Sequence, residues 1–498
     1  MQIFWNQPLT DEIQGLDILG VRARDQAIEE QLVNGITTVS LRARYFSILP
    51  WAIGAFLKAQ LDEQDKGKYV EAKFRRFLRR VEFLTLACTA EDERQQPPIN
   101  GALGRDLFSG NLQELRSTGH ALMTEVRSAM FLTYYGPCRA AGLVRDTQGS
   151  APPYTLTDFG KRLLVIREAG IKPQILDYLS GEGALSQGIV EVAKPWFSLH
   201  SVSFDAAERQ TLLEAFATPR TTENTANHGK FLATISWVQR RLTAKASSAE
   251  WLLIENYAEK VRAGASGDVS DEWAEYEWQR RCHFSFEWLL AVLGSELNEV
   301  GDMKISNAVE HLTATGQFDH RYFPGLRQAG LNASSSVREL KDALSGGLLL
   351  SAPLPTREMA EAERGDAALS AVAFLISLSM RSMSLRRAGI FGGTDSVISR
   401  AMTILDNADA MKISAILEAL MSQCVIIPHL TTTLRKMGAS QQCSLRFFPD
   451  GSVLRPTGIQ TTPNRSGTRL ANVLGIFSDL SVLEQEHGQY IPGTEVFP

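Results

Sequence analysis

The sequence predicts a mainly α, multi-domain protein that contains a winged-helix domain and ends in a small α/β unit. Three observations carry this prediction. Apolar residues recur at helical spacing through most of the chain, while alternating stretches are short and few. At 498 residues the chain is too long for one small core, and at about 150 residues per domain it divides into roughly three units. Finally, within residues 132–164 a helix end, a short strand, a Pro/Gly-rich tip, a returning strand and a new helix follow one another, which is the order of a winged helix. In that stretch Gly142 stops the helix, Leu143 and Val144 start a strand, residues 149–153 form the tip, and residues 154–156 pair back. Thr157 is placed to cap the closing helix, which turns Phe159, Leu163 and Leu164 inward and leaves Lys161 and Arg162 outside.

The resulting organisation is an N-terminal helical domain over 1–100, the winged-helix domain over 101–170, a helical domain over 171–400, and a C-terminal helix-hairpin-helix unit over 401–498. Composition is that of an ordinary folded chain, with 44% apolar and 21% charged residues. A formal charge of -5 gives no global attraction to DNA or anionic lipid, so a nucleic-acid site has to be a local basic patch. The first residues lack a basic segment followed by an apolar run, and the apolar run over 371–380 is too short to cross a bilayer. A cytoplasmic protein without a membrane partner is expected. Cys88, Cys138, Cys282, Cys424 and Cys443 form no Cys-x-x-Cys pair, which predicts buried free thiols rather than disulfides or a zinc knuckle.

Taken in order, residues 11–32 read as a helix interrupted at Gly15 and Gly20, followed by an Asn34-Gly35 turn. The next helix places Leu41, Tyr45, Ile48 and Leu49 on one face, and Pro50 should bend or restart it. Over 66–85, Phe74, Phe77, Leu78, Val81 and Leu84 mark a buried side, while Lys68, Lys73, Arg76 and Arg80 recur at helical spacing. Such a face is either simply solvated or tracks phosphates. Residues 90–100 read as a loop, and 112–116 and 120–131 as helices leading into the winged helix.

Tyr134, Tyr135, Arg139 and Arg145 are the exposed candidates for contact in that module. A DNA reader sends the second helix of its turn into the major groove. Here that helix is short, only Arg139 is a strong donor, and residues 146–153 hold no Lys or Arg, so the module suits DNA or a protein partner alike.

Residues 169–346 are mostly helical, with no convincing internal repeat. Glu277, His283 and Glu287 invite a catalytic reading, but the two carboxylates lie almost three turns apart at about 1.5 Å rise per residue. An aromatic core stripe with charged tips is the better reading of 272–290. The eight histidines show no zinc-protease spacing, no Walker loop occurs, the glycine turn at 389–394 lacks a following lysine, and residues 318–321 read as a surface turn. No metal or cofactor is expected. A strand or linker over 347–363 and helices over 366–385 and 406–420 follow. A helix over 430–437, strands over 444–448 and 453–455 around Pro449-Asp450-Gly451-Ser452, and a last helix reaching Leu480 make the C-terminal unit. Arg446, Arg455, Arg465 and Arg469 are its candidates for a positive surface, on either a second winged-helix-like unit or a small α/β cap.

The block Thr37-Thr38, Arg42-Ala43-Arg44-Tyr45-Phe46 and Pro50-Trp51 resembles the N-terminal signature of an uncharacterised bacterial family whose genes are often found among restriction and anti-phage defence genes. The resemblance covers about residues 15–56 and implies a setting rather than a chemistry. Arg42 and Arg44 either bind phosphate or a partner, or pair with acids such as Asp25, Glu29 or Glu30. The functional expectation is a non-enzymatic component of a defence or DNA-processing complex that binds DNA, or partner proteins such as a helicase or nuclease. The alternatives are a nuclease or nucleotide-processing enzyme with a dispersed site, and a transcriptional regulator.

Overall fold

The computed structural model describes residues 17–62, 71–105, 129–147, 152–181, 184–218, 225–318, 321, 323–344, 352–392, 396–440, 444–463 and 467–498. It is mainly helical, with 66% helix and 7% strand. Contacts group the chain into two compact units, Met1–Glu29 with Trp251–Ser466 and Glu30–Glu250 with Gly467–Pro498, which cut across the four consecutive segments read from the sequence. The expected helices over 112–116 and most of 120–131, together with residues 148–151, Lys68, Cys443 and Arg465, lie outside the described residues.

In the unit of Glu30–Glu250 and Gly467–Pro498, the Tyr45–Asp62 helix packs against the Ala129–Ala140 and Asp158–Gly170 helices. Its first turn is closed by N–H bonds from Phe46 to the Ala43 carbonyl and from Ser47 and Ile48 to that of Arg44. Pro50 neither ends nor restarts this helix, which continues to Asp62. The Glu71–Asp92 helix packs along Gln187–Phe197.

The helix-hairpin-helix over 129–170 forms as its local signals require. Gly142 at φ 59 ends the first helix. Its N–H bonds the Arg139 carbonyl at 2.9 Å, and the Leu143 N–H bonds that of Cys138 at 2.9 Å, the paired bonds of a Schellman ending. Val144–Asp146 then pairs antiparallel with Tyr154–Leu156 in the register Val144 to Leu156. Thr157 caps Asp158–Gly170, accepting from the Gly160 N–H at 3.3 Å. Leu163 is buried and Phe159 and Leu164 are half-buried, with Lys161 and Arg162 exposed. Gly160 has a steric reason to be glycine: a Cβ there would lie 2.1 Å from the Leu143 carbonyl oxygen.

The Arg469–Asp479 helix runs into a hairpin of Leu483–Glu486 and Gln489–Pro492, whose two-residue turn places His487 at φ 50 and Gly488 at φ 78. Tyr490 of this hairpin bridges to Ser247 through two backbone bonds. The sequence reading overlooked this hairpin.

In the other unit the Val269–Val300 helix packs along Arg364–Arg387, against which Ile305–Thr315 and Ile413–Leu420 also pack. The Arg364–Arg387 helix is long and apolar enough to cross a bilayer, longer than the run read from sequence, yet 78% of that window is buried inside the fold. A small sheet has the order Met303–Lys304, Val453–Pro456, Phe447–Asp450, with Gly451 at φ 63 in the turn. This hairpin was expected, and it groups with a different unit from the Arg469–Asp479 helix. The helices expected over 406–420 and 430–437 are joined from Ile413 onward through a π turn at Met421–Ile426, which widens the helix just before Pro428, a residue with no N–H to donate.

A short repeat also emerges here. Met303-Lys304-Ile305-Ser306 and Met411-Lys412-Ile413-Ser414 each place an extended lysine, at ψ 154 and ψ 150, before a helix. Each lysine has a strand-like partner, Val453 or Ser336, and the two helices pack on each other and on Arg364–Arg387.

Candidate functional site

The arginine-rich block folds inward. Arg44 is fully buried, with Nη1 donating to the Ser198 carbonyl at 2.7 Å and Nη2 to Glu208 Oε2 at 3.0 Å and the Pro195 carbonyl. Arg167 donates to the other Glu208 oxygen at 2.6 Å, and Ser47 donates to that same oxygen. Both guanidiniums lie over aromatic rings: Arg44 over Phe204 at 4.8 Å, Arg167 over Trp51 and Phe197 at 5.5 and 5.3 Å. Burial pushes the Glu208 carboxyl up, but Arg44, Arg167 and the Ser47 hydroxyl outweigh it and hold the group below the usual carboxylate range. Burial lowers Arg167 to about 10, against the pull of Glu208. Arg44 thus pairs with an acid as one reading allowed, but with Glu208 rather than Asp25, Glu29 or Glu30, and it has no route to phosphate.

Arg42 donates to Asp479, whose second oxygen accepts from the Ala43 N–H at 2.9 Å. Burial raises the Asp479 carboxyl to about 6, opposed by Arg42 and the Ala43 N–H. Tyr134, expected at the surface, is completely buried; its hydroxyl accepts from the Arg42 N–H at 3.0 Å, and its ring meets Tyr45 at 4.7 Å.

On the Glu71–Asp92 helix, Arg80 is also an interior residue, with Nε on the Tyr178 carbonyl at 2.7 Å and its guanidinium 4.1 Å from the Tyr178 ring. The expected basic face is therefore narrower than the spacing suggested, and Lys73 and Arg76 are its exposed members among the described residues.

The outward stripe of the Ala129–Ala140 helix runs Leu132, Tyr135, Gly136, Arg139, at i, i+3, i+4, i+7. Leu132 is 67% exposed, and Gly136 leaves open space where a side chain would stand. Tyr135 stacks on Phe131 at 4.8 Å and donates its hydroxyl to Asp146, which also takes Arg139 at 2.5 Å. Burial and then the Asp146 bond raise the Tyr135 phenol, while the Tyr135 and Arg139 bonds lower Asp146. Arg145 is exposed on the adjoining strand, where its backbone pairs with Thr155, and its side chain makes no hydrogen bond or ion pair among the described residues.

Of the four C-terminal arginines read as a positive surface, Arg446, Arg455 and Arg469 are among the described residues. Arg455 is taken by Asp450 at 2.5 Å and Asp302 at 3.5 Å. Arg446 and Arg469 are both half-buried and belong to different units.

The Val269–Val300 helix holds a further charged cluster. Glu277 is buried between Arg280 and Arg281, each at 2.9 Å, and is not free to act as acid or base. His283 Nδ1 lies 3.1 Å from Asp25, and Glu287 accepts from Arg22. Burial raises the Glu287 carboxyl against the pull of Arg22. Arg22, Asp25, Arg280, His283, Phe284, Glu287, Trp288, Leu354, Thr356 and Pro463 line a small cleft with about 30 Å³ of free space. The spacing 280, 283/284, 287/288 on one helical face was the signal available for it; weighing Glu277 against Glu287 missed it. No group of three His, Cys, Asp or Glu among the described residues could hold a metal ion. Comparison with protein-family models, curated proteins and solved structures finds no match.

Proposed function

We propose that the chain is a non-enzymatic binding component, its helix-hairpin-helix over 129–170 acting as a winged-helix module that docks a partner protein. The observation that carries this reading is the outward stripe of the Ala129–Ala140 helix, the position of a recognition helix. It begins with an exposed leucine, continues through a half-buried tyrosine and a bare glycine, and ends in an arginine already neutralised by Asp146. A phosphate-reading surface needs cations with unspent charge. An exposed apolar and aromatic stripe with matched charge suits a protein interface. The bacterial defence or DNA-processing setting, in the cytoplasm, rests on the resemblance of the Arg42–Trp51 block and belongs to the same proposal.

A nucleic-acid reading keeps one specific support, the exposed Lys73, Arg76 and Arg145. The deciding experiment is a pull-down of tagged protein from cells carrying its neighbouring genes, washed with and without nuclease, beside a Leu132→Asp variant. A stoichiometric protein that survives nuclease and is lost with the variant is expected. Recovery of nucleic acid alone, released by salt and insensitive to Leu132→Asp, would overturn the protein-docking reading.

A further inference from the structure

The helix that runs from Ile413 through the π turn to Lys436 carries an inference independent of the docking helix in the other unit. It matches Arg364–Arg387 in length and apolar character, yet only 50% of its apolar window is buried inside the fold. Its open side is regular. Outward positions come in adjacent pairs at every fourth residue, from 414/415 to 434/435, because the extra residue of the π turn corrects the drift of a 3.6-residue helix. Ile427 and Leu434 on this face are 53% and 57% exposed. Only two of its positions are charged, Glu418 near one end and Arg435 at the other. Neither side chain has a hydrogen bond or ion pair among the described residues. At about 1.5 Å rise per residue they stand about 25 Å apart, too far to pair within one chain.

A stripe with an acid at one end, a base at the other and an apolar centre is complementary to itself when reversed. We propose that this face pairs with the same face of a second copy of the chain, the two helices antiparallel about a two-fold axis at Ile426 and Ile427. Each Glu418 then meets Arg435 of the partner subunit, each Leu434 meets Ala419 of the partner subunit, and the two Ile427 side chains close on each other at the axis. The parallel arrangement fails on charge, since it sets arginine beside arginine and glutamate beside glutamate. Pairing also removes from water the apolar surface that the fold of one copy leaves open.

Sedimentation equilibrium of the full chain, 55.0 kDa per copy, tests this over a range of concentrations. A reversible dimer is expected. Ile427→Asp should leave a monomer, because it sets two carboxylates against each other at the axis. Arg435→Glu and Glu418→Arg should each weaken the dimer by about tenfold, since either exchange brings like charges together at both ends of the contact. The double variant carrying both exchanges should restore it. Ile427 and Arg435 are exposed and Glu418 half-buried, and circular dichroism separates a folded monomer from a misfolded variant. A dimer that survives Ile427→Asp would overturn the proposal, as would a double variant no tighter than the single exchanges. So would a wild-type monomer at every concentration, and its flotation with phosphatidylcholine vesicles would give the face to a bilayer instead.

Discussion

Arg44 and Arg139 carry the same side chain in the same unit, and their surroundings make them opposites. Arg44 and its carboxylate Glu208 have no exposed side-chain surface, whereas Arg139 and Asp146 are 57% and 51% exposed. In the interior, one carboxylate is shared by two guanidiniums, each of which also donates to a backbone carbonyl, so removing any member strands a charge in low dielectric. At the surface, water replaces whatever is removed. An arginine in a distinctive block is therefore no pointer to a binding surface until its burial is known. Here the block resembling a family signature ties distant parts of one fold together.

The largest effect should come from Glu208→Ala, which leaves Arg44 and Arg167 facing each other without a counter-charge. A loss of about 3–5 kcal/mol is expected by urea unfolding. Replacing Arg44, Glu208 and Arg167 together with Met, Leu and Met should cost much less, because desolvation is removed along with attraction. If the single and triple variants lose the same stability, charge burial is not what distinguishes this region.

Gly160→Ala comes next. Its methyl group would meet the Leu143 backbone carbonyl, which cannot rotate away, so the closing helix must shift off the hairpin at a cost of about 1–3 kcal/mol. Hydrogen exchange should show the loss concentrated in Val144–Asp146 and Tyr154–Leu156. An unchanged exchange pattern would mean that the close approach is not needed to hold the hairpin.

Asp479 and Glu208 should separate by pH within one unit. The native Asp479 carboxyl is raised to about 6 from 3.8, so between those values the folded state binds more protons than the unfolded chain. This group's contribution to stability is therefore fully present below about pH 3.8 and lost as pH rises through 6. Glu208, held below 4.5, acts in the reverse sense, its contribution being lost as pH falls through its lowered native value. The difference in unfolding free energy between wild type and Asp479→Asn should change by about 1–2 kcal/mol from pH 4.8 to pH 7, with the wild type relatively weaker at the higher pH. A flat difference would show that Arg42 fully offsets the burial of Asp479.

How much of this was legible follows from chain distance. Gly142, Thr157 and the Gly451 turn act on neighbours a few residues away, and each was read correctly from its local signal. The His487-Gly488 turn was equally local and simply overlooked. The partners of Arg44 and Arg42 lie 164 and 437 residues along the chain, beyond any periodicity argument, so adjacent acids were nominated instead. Arg167 was missed outright, since a cation near the end of a helix reads as solvated until its ring contacts are known. The cleft falls between these cases: its helical stripe was visible, while Arg22 and Asp25 reach it from a segment more than 250 residues earlier.

Arg139→Ala should have the smallest effect and bears most directly on function. The pair it breaks is half solvated and its carboxylate keeps the Tyr135 hydroxyl, so stability should fall by no more than about 1 kcal/mol. If the helix docks a protein through Leu132 and Tyr135, partner capture should persist in Arg139→Ala while Leu132→Asp abolishes it. If the same surface reads phosphates, Arg139→Ala should weaken capture and reduce its salt dependence, because a cation would have left the interface. A stability loss near that of Glu208→Ala would instead place Arg139 with the interior arginines and remove the contrast on which the docking reading depends.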